Sequence, residues 1–103
     1  MPTTKTGVMN KQHATGDLVF IRYSDTPLRD LNYFDPLWAA DKDVQTFLEN
    51  SAQVTTYPSL DVNTGATVLH VRQCPVSRYN DYSILLVLTM AGIGWVFDYE
   101  VKW

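Results

Sequence analysis

A chain of 103 residues, 46% hydrophobic and 13% aromatic, has the length for one hydrophobic core and not for a second domain. Its single cysteine, Cys74, excludes an intrachain disulfide and a cysteine cluster for zinc, and fits a reducing, cytoplasmic setting. The net charge is −3, with Lys5 and Lys11 giving residues 1–15 a charge of +2 and six bases against eleven acids giving residues 16–103 a charge of −5. An acidic body disfavours nucleic acid as a partner. The longest apolar run, Ile84 to Leu88, is far short of the roughly 20 residues a membrane helix needs. The first residues carry a lysine with no apolar stretch behind it, so no secretory signal is expected.

Residues 1–15, rich in Thr, Lys, Asn and Gln without helical or strand period, read as a flexible tail, and 16–103 as a single domain. Asp17 to Tyr23 is dense in β-branched and aromatic types and closes on Ser24-Asp25-Thr26-Pro27, giving a first strand and a turn. A long connection follows over 24–34. Asp35-Pro36 supplies an N-cap and a proline at the first helical position, and Leu37, Ala40, Val44, Phe47 and Leu48 fall on one stripe of a 3.6-residue period. Asp41 is an alternative cap for a shorter helix.

Gln53 to Tyr57 is a weak strand that Pro58 confines to an edge. Asn63-Thr64-Gly65 tolerates positive φ and predicts a hairpin into the strand Ala66–Arg72. Residues 74–81 form a loop, and Tyr82 to Met90 is a strand apolar on both sides, which belongs in a covered sheet. Ala91-Gly92-Ile93-Gly94 is expected to turn the chain into a last strand, where Trp95, Phe97, Tyr99, Val101 and Trp103 alternate with Val96, Asp98, Glu100 and Lys102. The order β-α-β-β-β-β predicts an α+β fold: one helix packed on a mainly antiparallel sheet of four or five strands. One helix cannot cover two apolar faces, so a homodimer or a covering partner is expected. Strand parity places residues 24–34 and 91–94 at one end of the sheet and the 74–82 loop at the other.

Chemistry finds little support. His70 and Cys74, four residues apart on a strand, stand about 13 Å apart at ~3.3 Å per residue, too far for a shared metal or a nucleophile–base pair. Gly92-Ile93-Gly94 lies between strands, whereas a phosphate loop runs from strand to helix. Asp98 and Glu100 share the outer face of the last strand, where solvated acids are ordinary. No metal or cofactor is expected. Recognition remains: the long connection carries Arg29, Tyr33 and Phe34, the next turn Ile93, the opposite loop Arg78, Tyr79 and Tyr82, and the final strand Trp103, all types that anchor interfaces.

The sequence therefore reads as a small non-enzymatic module that binds a larger protein, an enzyme by type. It suits an inhibitor or immunity-type protein, such as a phage-encoded antagonist of a host or defence enzyme. Two alternatives stay open: a small-molecule or nucleotide-sensing domain with aromatic walls, and a small hydrolase using His70 with loop carboxylates.

Overall fold

The computed structural model describes residues 13–103 apart from 35, 37, 51, 52 and 55. Its strands are β1 (Leu18–Ile21), β2 (Thr26–Pro27), β3 (Ser59–Leu60), β4 (Gly65–Gln73), β5 (Ser83–Thr89), β6 (Gly92–Phe97) and β7 (Val101–Lys102), with one α-helix, α1 (Lys42–Asn50). Five of the strands form an antiparallel sheet in the order β6-β5-β4-β1-β7, and β2 pairs with β3 in a small separate ribbon. Strands β6 and β7 sit at opposite ends of that order, yet only the 3-10 turn Asp98–Glu100 separates them in the chain. The sheet therefore curls until its two edges approach.

This turn corrects the reading of residues 95–103 as one strand. Trp95 and Phe97 pack in one core, on one side of the sheet, and Val101 packs in the other. A continuous strand would have kept all three on one face. The three-residue turn shifts the phase, and β7 then pairs with β1, Phe20 opposite Lys102 and Ile21 opposite Val101.

The expected turn at 91–94 also moves. Thr89 pairs with Gly92, leaving Met90 and Ala91 as a two-residue hairpin loop, with Gly92 at φ 122°. The Thr89 hydroxyl accepts from Ala91 N–H and donates to Gly92 C=O. Gly94 is a strand residue. A Cβ there would lie 2.5 Å from the Arg29 carbonyl oxygen, so glycine permits another segment of backbone to cross β6.

That segment belongs to the long excursion between β1 and β4. Arg29 and Trp95 exchange both backbone hydrogen bonds, at 3.0 and 2.9 Å, and Val54 N–H donates to Ile93 C=O at 2.9 Å. The expected hairpin at 63–65 does not form. The chain does turn there, with Asn63 at φ 67°, but β3 pairs back to β2 while β4 pairs with β1 and β5. Asn63 N–H and Ile21 N–H tie the turn to β1 by bonding Ile21 C=O and Thr64 C=O.

The helix starts later than the proline suggests. A 3-10 turn at Trp38–Ala40 precedes it, and the Asp41 carboxylate accepts from Asp43 N–H at 2.9 Å, so the alternative cap is the one used. The expected cap Asp35, Leu37, and the side chains of Phe47 and Leu48 lie outside the described residues.

Two cores result, one on each side of the sheet. Within the curl, Val19, Ile21, Val68, Leu85, Val87 and Val101 meet Leu28, Val54 and Leu60 from the excursion. On the other side, Leu69, Ile84, Leu86, Trp95 and Phe97 meet Leu31, Trp38 and Val44. Each fully buried aliphatic contributes about 1.5–3 kcal/mol. The alternation in β5 splits evenly, Ile84 and Leu86 to one core, Leu85 and Val87 to the other. The double apolar face that suggested an external cover is thus covered by the chain itself.

Candidate functional site

The excursion, the 74–82 loop and the 98–100 turn converge on one face, and each brings aromatic rings. Phe34 is central. Its backbone is left-handed, φ 66°, a conformation that costs a bulky residue about 1–2 kcal/mol. It places the ring 4.5 Å from Tyr33, 5.9 Å from Tyr79, 5.8 Å from Trp95 and 6.5 Å from Phe97. Phe97 continues the cluster to Tyr99, stacked at 5.2 Å, and Tyr99 to Tyr82 at 5.0 Å. At the other side Tyr33 meets Tyr57 edge-on at 5.5 Å. Such offset and edge-on pairs add about 0.5–1.5 kcal/mol each beyond burial.

Trp95 and Phe97 are buried, but the outer rings are not: Tyr33, Tyr57, Tyr82 and Tyr99 are 40%, 50%, 42% and 44% exposed. Burial pushes the Tyr99 hydroxyl above its ordinary titration range, and the neighbouring Glu100 adds to the effect. A cleft of about 300 Å³ lies between Pro27, Arg29, Tyr33 and Tyr57.

Beneath the rings, Arg29 forms a two-pronged ion pair with Glu100, Nη1 to Oε1 at 2.6 Å and Nη2 to Oε2 at 3.2 Å. Its guanidinium also lies 4.9 and 4.8 Å from the Trp95 and Phe97 ring centres. Glu100 Oε1 accepts a further bond from Phe97 N–H at 2.8 Å. Arg29 therefore supports the aromatic face and offers it little free charge. Three acids lie nearby: half-buried Asp30 shares a turn with Tyr33, exposed Asp81 precedes Tyr82, and half-buried Asp98, whose carboxylate accepts from Ser83 N–H, precedes Tyr99. Arg78, packed over Tyr79 at 5.1 Å, is the opposing cation.

The sequence placed Arg29, Tyr33 and Phe34 at one end and Arg78, Tyr79 and Tyr82 at the other. The structure brings them together, because the excursion folds over β6 toward the 74–82 loop where parity would have left it beyond the sheet end. Ile93 is fully buried and presents no surface. Trp103 is half-exposed and stacks on His13 at 4.5 Å, so the root of the expected tail is held against the end of β7. Tyr57, Phe97, Tyr99 and Glu100 belong to this site and were not singled out by sequence. The alternation of 95–103 hid the last three, by assigning Phe97 and Tyr99 to the apolar face of a continuous strand and Glu100 to its solvated face.

A second polar cluster lies by the helix cap. His70 Nε2 is 3.1 Å from Asp41 Oδ2, and Arg72 Nη2 is 3.6 Å from the same oxygen. Arg72 also lies over Trp38 at 5.5 Å. Thr15, Asp43, Thr46, Leu69 and His70 line a cleft of about 330 Å³ beside it. Cys74 is buried. Among the described residues no three His, Cys, Asp or Glu side chains group as metal ligands would, and no helix is long and apolar enough to cross a membrane.

No family model matches the sequence, and no curated protein or solved structure matches the chain.

Proposed function

We propose that this chain is a non-enzymatic protein-binding module that uses its aromatic face to hold a larger protein, in the manner of an intracellular inhibitor or immunity-type protein. A phage-encoded antagonist of a host or defence enzyme is one protein of that kind. One observation carries the reading: four tyrosines, each 40% to 50% exposed, crown a single continuous ring cluster whose inner members Trp95 and Phe97 are buried. The cores are complete without these outer halves, so folding alone leaves them uncovered. Tyrosine gives large contact area at small entropic cost and keeps a hydroxyl for a partner, which is why it is enriched at interfaces.

Affinity capture from a native lysate with mass-spectrometric readout tests the reading. Recovery of a stoichiometric enzyme partner by the native chain, and its loss with Tyr33→Ala and Tyr99→Ala together, is expected. Capture that is unchanged by both substitutions would sink it.

The cleft between Pro27, Arg29, Tyr33 and Tyr57 favours a second reading, a small-molecule sensor, because its volume sits at the lower bound of ligand pockets. A thermal-shift screen against nucleotides separates the two, since a ligand of the folded state raises the melting temperature.

A further inference from the structure

We propose that the aromatic face recognises an extended, proline-bearing, basic segment of its partner; this rests on the binding-module reading above and names the chemistry of what is bound. The first ground is the state of the sheet edges. Strand addition requires a run of unpaired backbone groups. On β6, Arg29 occupies both backbone groups of Trp95 and Val54 occupies the Ile93 carbonyl. The opposite edge strand, β7, is only Val101–Lys102. Among the described residues a partner segment therefore finds no long ladder to join, and a segment whose backbone needs none is favoured. Polyproline II is such a conformation: its backbone is solvated, and ordering it costs less entropy than ordering a flexible chain.

The second ground is the surface itself. The exposed rings form two pairs, Tyr33 with Tyr57 and Tyr82 with Tyr99. Ring steps of 4.5, 6.5 and 5.2 Å through Phe34 and Phe97 connect them. These steps set an upper limit on the Tyr33–Tyr99 separation, and about five residues of polyproline II, at ~3.1 Å each, cover it. Proline rings pack on aromatic faces, and a tyrosine hydroxyl can donate to the carbonyls that an unpaired backbone exposes.

The third ground is charge. Among the described residues, Asp30, Asp81 and Asp98 lie beside the two pairs with Arg78 as a cation on the same face, and Arg29 is neutralised by Glu100. A cationic flank on the bound segment complements them and speeds encounter.

The test is fluorescence anisotropy of the full chain with labelled peptides of about ten residues, proline at every second or third position and arginines at one end. Companion sets carry alanine for proline, or glutamate for arginine. Saturable binding by the proline–arginine set is expected, weakened about tenfold by replacing proline and again by reversing the charge. Tyr57→Ala or Tyr99→Ala weakens it to a similar extent, while Met90→Ala, at the exposed β5–β6 turn, leaves it unchanged. Equal affinity for the alanine set overturns the proposal, as does self-association of the chain that Tyr57→Ala and Tyr99→Ala abolish. If lysate capture depends on Tyr33 and Tyr99 but no proline peptide binds, the segment is wrong and the binding-module reading stands. If neither is seen, both fall.

Discussion

Arg29 and Glu100, 71 residues apart in the chain, meet in a two-pronged pair that is nearly closed to solvent, with side chains 12% and 8% exposed. The pair joins the excursion to the turn between β6 and β7, the two segments that carry most of the aromatic face. Removing one partner strands the other charge. Glu100→Ala is therefore expected to cost about 3–5 kcal/mol in urea unfolding, whereas Arg29→Met with Glu100→Leu recovers much of the loss, since a buried ion pair is often matched by apolar residues of similar volume. A double variant no more stable than Glu100→Ala would show that the pair is needed for more than neutralisation.

Gly94 predicts a steric effect of a different origin. Its missing Cβ would meet the Arg29 oxygen at 2.5 Å, Leu28 Cγ at 2.7 Å and Val54 Cγ2 at 2.9 Å, so both arms of the excursion would have to retreat. Gly94→Ala should lower stability by about 2–4 kcal/mol, although alanine ordinarily suits a strand better than glycine. Amide exchange should also quicken at Trp95 N–H, which bonds Arg29 C=O at 2.9 Å. Unchanged protection there would argue against the close crossing.

These two positions show how far the sequence could be read. Strands β4 and β5 were legible, because β propensity and apolar runs are local properties of Ala66–Arg72 and Ile84–Leu88. The short helix was legible through Asp41, one of two caps offered. The path of 98–100 was not. A 3-10 turn of three residues leaves the apolar–polar alternation of Trp95, Phe97, Tyr99, Val101 and Trp103 intact on paper while exchanging the face that Val101 occupies. Nor does any local pattern bring Arg29 beside Trp95, because that placement depends on β2 finding β3 across the whole excursion. Composition drew attention to Tyr33, Phe34, Tyr79 and Tyr82, and the fold places their rings in one cluster.

Phe34 offers a third prediction, from backbone conformation. At φ 66° a side chain is opposed by the backbone, and glycine is not. Both Phe34→Ala and Phe34→Gly lose the ring contacts, yet the glycine variant should be the more stable by about 1 kcal/mol, the reverse of the usual order. Thermal unfolding of the two variants side by side decides it. An alanine variant as stable as the glycine one would mean that the backbone is not left-handed in solution.

His13 supplies a pH dependence. Burial holds its imidazole below the ordinary value of 6.5, against the opposing attraction of Asp98 and Asp17. The unfolded chain then binds the proton more readily than the folded one. Stability from this group is full above pH 6.5 and is lost as pH falls through the lowered folded value. The melting temperature of the native chain should accordingly fall more between pH 7.5 and 5, roughly the range in which imidazole titrates, than that of His13→Phe, which preserves the stack on Trp103. Parallel falls in the two proteins would assign the loss to other groups.

The closure of the sheet has a kinetic consequence. Strand β1 is paired on one side by residues 65–67 and on the other by residues 101–102, so every ladder it makes joins distant parts of the chain. The β5–β6 hairpin, closed by two residues, can form early, while the pairing of Phe20 with Lys102 requires nearly the whole domain to be in place. High contact order of this kind slows folding. It also makes the same last step responsible for positioning Glu100 under Arg29, so that the tyrosine surface is assembled only as the polypeptide completes its slowest search.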